Sequence, residues 1–281
     1  MSVFFYLCKK EQMILITGKY EPLADCISEK FRTMQNGIEV QVRNSIRLIE
    51  YLYAHDKEIE MLLYVDKRQS ETAAAPSRME HLQSLWTVAA KHGIPLMLLF
   101  FKYNIDQNID SQLEKYSTWI GKQFQKPPYH YLFKMSELYG LGDRMSVVDE
   151  FYREITTTGS ICISRWEDDN GEFSERQLDY LHVLDVTRVI YWFAVHRPAS
   201  GVYEIGTGFP RTDTALAEAI FRTIKRPSRI SYHLFPSEKA SNAPPAQVTK
   251  LHNLRHIGYK KPFQTIETGV KSYIHRVILK E

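Results

Sequence analysis

Through the first 135 residues, apolar runs of strand length alternate with segments of helical period, and this rhythm limits the fold more than any other feature of the chain. The runs are MILITG (13–18), IEVQV (38–42), MLLYVD (61–66), IPLMLLFF (94–101) and YHYLFKM (129–135). Helical periodicity falls between them, over about 22–35, 45–54, 77–93 and 109–125. Strands buried on both faces read as continuous apolar runs, and the intervening helices are long enough for parallel crossovers. The pattern predicts an α/β fold built on a Rossmann-like doubly wound parallel sheet.

From about residue 140 the rhythm loosens. A helix is expected over MSVVDEFYREITTTG (145–159), short strands around Ile161–Ile163 and Leu178–Leu181, and helices near 184–195, 212–224 and 264–277. SEKASNAPPAQ (237–247) is a loop by composition. At 281 residues and 44% hydrophobic content the chain can bury a sizeable core unaided. Its 36 Lys and Arg against 33 Asp and Glu come in pairs such as Lys67-Arg68, with no block of like charge to mark a nucleic-acid or membrane surface. The three cysteines are scattered and in no CxxC spacing, which fits a reduced, cytoplasmic setting. The opening MSVFFYLCKKEQ lacks the leading basic region of a signal and reads as an extra strand or an ordered extension.

The junction MILITGKYEPLADCISEKF (13–31) runs from strand to helix, where a dinucleotide-binding protein keeps a glycine-rich loop. Thr17 and Gly18 are the candidate cofactor residues, but the positions of the next two glycines hold Glu21 and Ala24. Glu21 would set a carboxylate against the diphosphate, and Pro22 suits the first turn of a helix that binds nothing. After the second run stands Arg43, which suits a 2′-phosphate or is simply an exposed strand-end arginine.

Several landmarks in the second half carry a resemblance. KMSELYGLGDR (134–144) is similar to R-P-x-N-V-Y-G-P-G-D-R, LDYLHVLDV (178–186) to R-D-F-V-H-V-D-D-V, and SGVYEIGTG (200–208) to G-x-F-N-I-G-T-G. The segment NLRHIGYKKPF (253–263) keeps the pattern N-L-R-x-x-G-Y-x-K-P-F. Together they resemble the extended short-chain dehydrogenase/reductase family of sugar-nucleotide epimerases and dehydratases, most closely its heptose 6-epimerases. The first half resembles the family in strand and helix order, with KHGIPLMLLFF (91–101) at the family's fifth strand. The resemblance implies a Rossmann-like domain over 1–135 and a smaller C-terminal α/β substrate domain over 136–281, with about 178–196 returning to the first. It also implies dimerisation through the helices near 77–92 and 107–125, and hydride transfer to NAD(P) assisted by a Tyr with a Lys four residues on.

The positions that would carry this chemistry depart from the pattern. Lys122 stands at the lysine position with Thr118 four residues before it, and threonine cannot act as a phenolate near neutral pH. Phe100 and Phe101 replace the Ser/Thr pair after the fifth strand. On the substrate side Glu137 replaces the Asn ahead of Tyr139-Gly140, Leu178 stands at the Arg position with Arg176 nearby, and Asn242 falls where the heptose epimerases carry arginine. The residues kept are those that build turns. His252 and His256 lie four apart without a third ligand in sequence, so no metal site is expected, and His182 reads as structural. The expectation is a catalytically degenerate homodimer that binds a protein partner or a sugar nucleotide, with no NAD(P) or weak NAD(P) binding. The alternative is a divergent active epimerase or dehydratase in which Lys122 and a water or Glu137 replace the Tyr.

Overall fold

The computed structural model describes residues 12–18, 21–34, 38–42, 48–65, 76–101, 108–140, 146–167, 170–235 and 246–278. The first half alternates as expected: β1 (Gln12–Gly18), α1 (Glu21–Met34), β2 (Ile38–Val42), α2 (Leu48–Ala54), β3 (Ile59–Val65), α3 (Pro76–His92), β4 (Leu96–Phe101), α4 (Asn108–Gly121) and β5 (His130–Met135). The second half adds β6 (Glu137–Tyr139), α5 (Val147–Thr158), β7 (Ile161–Glu167), β8 (Phe173–Glu175), β9 (Gln177–Leu178), β10 (Tyr180–His182) and α6 (Val183–His196). It continues with β11 (Gly201–Ile205), β12 (Arg211–Thr212), α7 (Asp213–Thr223), β13 (Ile230–Phe235), α8 (His252–His256) and α9 (Ile266–Ile278). The chain divides into two compact units, the first over 1–100, 110–133 and 190–202, the second over 101–109, 134–189 and 203–281.

A six-stranded sheet runs in the order β11-β5-β4-β3-β1-β2. Its pairs β1–β2, β1–β3 and β3–β4 are parallel, the doubly wound α/β arrangement that continuous apolar runs require. The strand that the resemblance equates with the family's fifth is the fourth among the described residues. All six residues of β4 are buried, and Leu15, Leu62, Leu98 and Phe100 join Leu85 and Trp86 of α3 and Tyr116 of α4 in the core of the first unit. At roughly 1.5–3 kcal/mol for each large apolar side chain removed from water, this cluster is the main favourable term of that unit.

The second unit packs α5, α7 and α9 around β7 through Val148, Phe151, Ile155, Ile163, Ile220, Phe221, Val270 and Ile274. Local chemistry sets its helix ends. Ser146 Oγ accepts from Asp149 N–H at 3.2 Å to open α5, and Gly159, at φ 77°, closes it by donating to Ile155 O at 3.0 Å. Thr212 Oγ1 accepts from Ala215 N–H at 3.1 Å to open α7. The remaining strands form a three-stranded sheet, β13-β7-β8, and two small pairs, β10-β6 and β12-β9. Among the described residues no helix is long and apolar enough to cross a membrane.

Candidate functional site

In the first unit Thr17 and Gly18 close β1 at its carboxyl end, with Thr17 buried. Gly18 has φ +122°, and a Cβ there would stand 1.8 Å from the carbonyl oxygen of Val65. Glycine is therefore required by the close approach of β1 and β3, whether or not a phosphate ever comes near. Arg43 lies outside the described residues, as does the side chain of Glu21.

Thr118 and Lys122 belong to the opposite edge of the sheet. α4 carries the chain from the carboxyl end of β4 back to the amino end of β5, where Tyr129 O accepts from Leu96 N–H at 2.8 Å. Lys122 follows the last residue of α4, its N–H donating to Trp119 O at 3.1 Å, and both side chains are exposed. A strand of six residues at about 3.3 Å each puts on the order of 20 Å between that edge and the carboxyl ends where Gly18 sits. Tyr116, the tyrosine of this helix, is no substitute. It is 1% exposed, its Oη donates to Leu82 O at 3.2 Å, and burial alone pushes its phenol far above the ordinary range. Phe100 is a core residue, its ring 6.4 Å from that of Tyr116.

The second unit brings two of the sequence candidates, Arg176 and Glu137, into one polar region. Arg176 grips Asp213, with Nε at 2.9 Å from Oδ2 and Nη2 at 3.1 Å from Oδ1, and Tyr180 Oη donates to the same carboxylate at 2.9 Å. Glu137 is 3% exposed, and its charge is felt by both Arg176 and Tyr180. Burial raises the Asp213 carboxyl above its ordinary range even against the facing guanidinium, and burial followed by the Asp213 charge pushes the Tyr180 phenol well up. On Arg176 burial works the other way, but Asp213, Tyr180 and Glu137 together outweigh it and the guanidinium stays charged. The guanidinium fork that could have held a phosphate is thus engaged with a carboxylate of the same chain.

Tyr139 lies two residues beyond Glu137 on β6, 1% exposed, with its ring edge-on to His182. Its Oη has no hydrogen-bond partner among the described residues, and a Cβ on Gly269 of α9 would fall 1.8 Å from it. Glycine at 269 is what lets α9 pass this close to the Tyr139 hydroxyl. Asn242 lies outside the described residues.

Asp179, not among the sequence candidates, organises the neighbouring loop. Fully buried, it accepts from Thr207 N–H at 2.8 Å, from Thr207 Oγ1 and from Gly208 N–H at 2.9 Å. Gly206 must be glycine, because a Cβ would stand 2.5 Å from Asp179 Oδ2 and 2.2 Å from Thr249 Oγ1. The signal was present as the aspartate of LDYLHVLDV and the glycines of EIGTG, but nothing in either stretch says that the two meet. His252 and His256 stack at 6.0 Å, and among the described residues no three His, Cys, Asp or Glu side chains converge as a metal site.

No family profile matches the chain. An ADP-L-glycero-D-manno-heptose-6-epimerase of Alkalilimnicola ehrlichii is 28% identical over 195 residues, 69% of this chain and 59% of that protein. The chain spans about half the length of the curated relatives it matches. Among solved structures, the ADP-L-glycero-D-manno-heptose-6-epimerase of Helicobacter pylori superposes with a TM-score of 0.71 at 14% identity, covering 95% of this chain and 96% of the other. A UDP-N-acetylglucosamine 4-epimerase from Bacillus cereus gives 0.72 at 12% identity, covering 96% and 98%. The chain has the fold of the extended short-chain dehydrogenase/reductase epimerases and dehydratases, and its sequence relatives carry the name of heptose epimerases.

Proposed function

We propose that this chain is an epimerase-type fold in which hydride and proton transfer have been lost and binding retained, acting as a homodimer on a protein partner or a sugar-nucleotide ligand. The observation that carries the reading is the placement of Thr118 and Lys122, exposed at the amino edge of the sheet while Thr17 and Gly18 sit at its carboxyl edge. Proton transfer needs its groups within hydrogen-bond reach of one reacting atom, and about 20 Å of strand does not allow it. The engagement of Arg176 by Asp213 supports the same reading on the substrate side.

The test is direct. Small molecules released from the purified protein are identified by mass spectrometry, and NAD(H) and NADP(H) are titrated by calorimetry. The expected result is no released cofactor and no saturable heat at millimolar concentration; micromolar binding would overturn the proposal.

A second reading draws on the names of the relatives, which are those of active epimerases. In it the chain turns over a nucleotide-linked sugar by a divergent route, and micromolar cofactor binding together with turnover is its signature.

A further inference from the structure

β13 ends the three-stranded sheet β13-β7-β8, and among the described residues no strand pairs with its outer edge. An outer strand presents a row of backbone N–H and C=O groups that only water or another strand can satisfy, and proteins that leave one open commonly blunt it with lysine, proline or a bulge. β13 has none of these. Its six residues, ISYHLF, include no Lys, Arg, Asp, Glu, Gly or Pro, and its register with β7 runs unbroken from Ile230 to Phe235. Ile, Tyr and Phe are also residues that favour strands.

Two of its side chains are apolar and exposed, Tyr232 at 37% and Leu234 at 53%. Two positions apart on one strand, they share a face of the sheet. Tyr232 is set in place beforehand. The guanidinium of Arg165 on β7 lies 3.4 Å from the centre of its ring, and that guanidinium is held in turn by Glu175 of β8, with Nε at 2.8 Å and Nη2 at 2.7 Å from Oε1.

We propose that β13 is where two copies of this chain meet, pairing antiparallel about a two-fold axis through His233 to make one continuous sheet. On that axis Tyr232 of each copy stands opposite Leu234 of the other, so the two exposed apolar side chains cover each other twice over. Antiparallel pairing also sets the basic stretch that precedes the strand, Lys225, Arg226 and Arg229, at opposite ends of the ribbon, where a parallel pair would place like charges side by side. A two-fold contact consumes both β13 edges, so it closes as a dimer and does not run on into a fibre. The inference rests on the homodimer in the proposed function and gives it a face. The helices to which the family resemblance assigns dimerisation offer less. On α3 the exposed residues described are Glu80, Ser84, Thr87 and Lys91, and the hydroxyls of Ser84 and Thr87 already donate to Glu80 O at 2.9 Å and Gln83 O at 2.8 Å. Loss of hydride chemistry is tested by the cofactor titration, which can fail separately from the experiment below.

Sedimentation velocity of the full chain over the micromolar range, with wild type beside Leu234→Lys and Thr87→Arg, reads the contact. Wild type should be a dimer. Leu234→Lys should weaken it about tenfold or more, because both copies carry the change, and Thr87→Arg should leave it unaltered. A cross-link reads the register directly and keeps the test open if Leu234→Lys fails to fold. Residues opposite each other on antiparallel strands have Cα atoms about 4.5–5.5 Å apart, within reach of a disulfide. With the exposed Cys162 replaced by serine, His233→Cys should therefore oxidise to a covalent dimer and Ser231→Cys should not. The inference is overturned if wild type sediments as a monomer, if Leu234→Lys dimerises as wild type does, if Thr87→Arg disperses the dimer, or if Ser231→Cys cross-links as readily as His233→Cys.

Discussion

His182 shows how burial beside two arginines gives one residue a pH-dependent share of stability. It ends β10 at 2% exposure, its Nδ1 accepts from Leu184 N–H at 3.2 Å, and burial, with Arg276 and Arg188 adding to it, lowers its pKa from 6.5 to about 4. The folded protein holds the ring neutral, whereas the unfolded chain takes up a proton below about pH 6.5. Its contribution is therefore complete above that pH and is lost as the pH falls toward 4. At about 1.4 kcal/mol per unit the loss is on the order of 3 kcal/mol. Urea unfolding of wild type at pH 7 and pH 4.5, beside His182→Gln, checks it: the variant should lose most of the difference between the two pH values. An undiminished difference would assign the effect to other groups.

At the scale of the element, the opening of α7 gathers much of the second unit's buried charge. Asp213 begins the helix, Arg176 and Tyr180 meet on its carboxylate, and Glu175 accepts from Thr214 N–H at 3.0 Å and from Thr214 Oγ1 at 2.8 Å. Carboxylates at a helix N-terminus are favoured by the dipole, and here they also neutralise a guanidinium whose side chain is only 25% exposed. Asp213→Asn would leave that cation without its partner, and removing one member of a buried pair costs about 3 kcal/mol. The urea midpoint should fall accordingly, with the slope unchanged if the effect is local. None of this could be read from order along the chain, because Arg176 and Asp213 are 37 positions apart. The strands of the first sheet were legible for the opposite reason: burial on both faces writes each as an apolar run. β13 escaped notice because its four central residues are exposed and mix Ser, Tyr, His and Leu, so it has neither a run nor a period. Its existence depends on β7, whose Ile161 it meets 69 positions away.

For the whole molecule, the α/β fold was within reach of sequence because it follows from hydrophobic pattern, and the heptose-epimerase likeness because turn and core motifs survive intact. The candidate chemistry was less legible. A spacing of four residues places Thr118 and Lys122 on one helix face, but only the topology reveals which edge of the sheet that stretch of helix reaches. Gly18 likewise has a reason to be glycine, the carbonyl of Val65 beside it, that no spacing along the chain displays. The loop at residues 206–208 should differ from most glycine-containing surface turns in its exchange with heavy water. The Thr207 and Gly208 amides are tied to a carboxylate with no solvent exposure, so releasing them uncovers a buried charge, and opening should approach the cost of unfolding the unit around it. Native-state exchange should find these two among the slowest amides outside the sheet and helices; exchange at the rate of an ordinary loop would show that Asp179 clamps them only loosely.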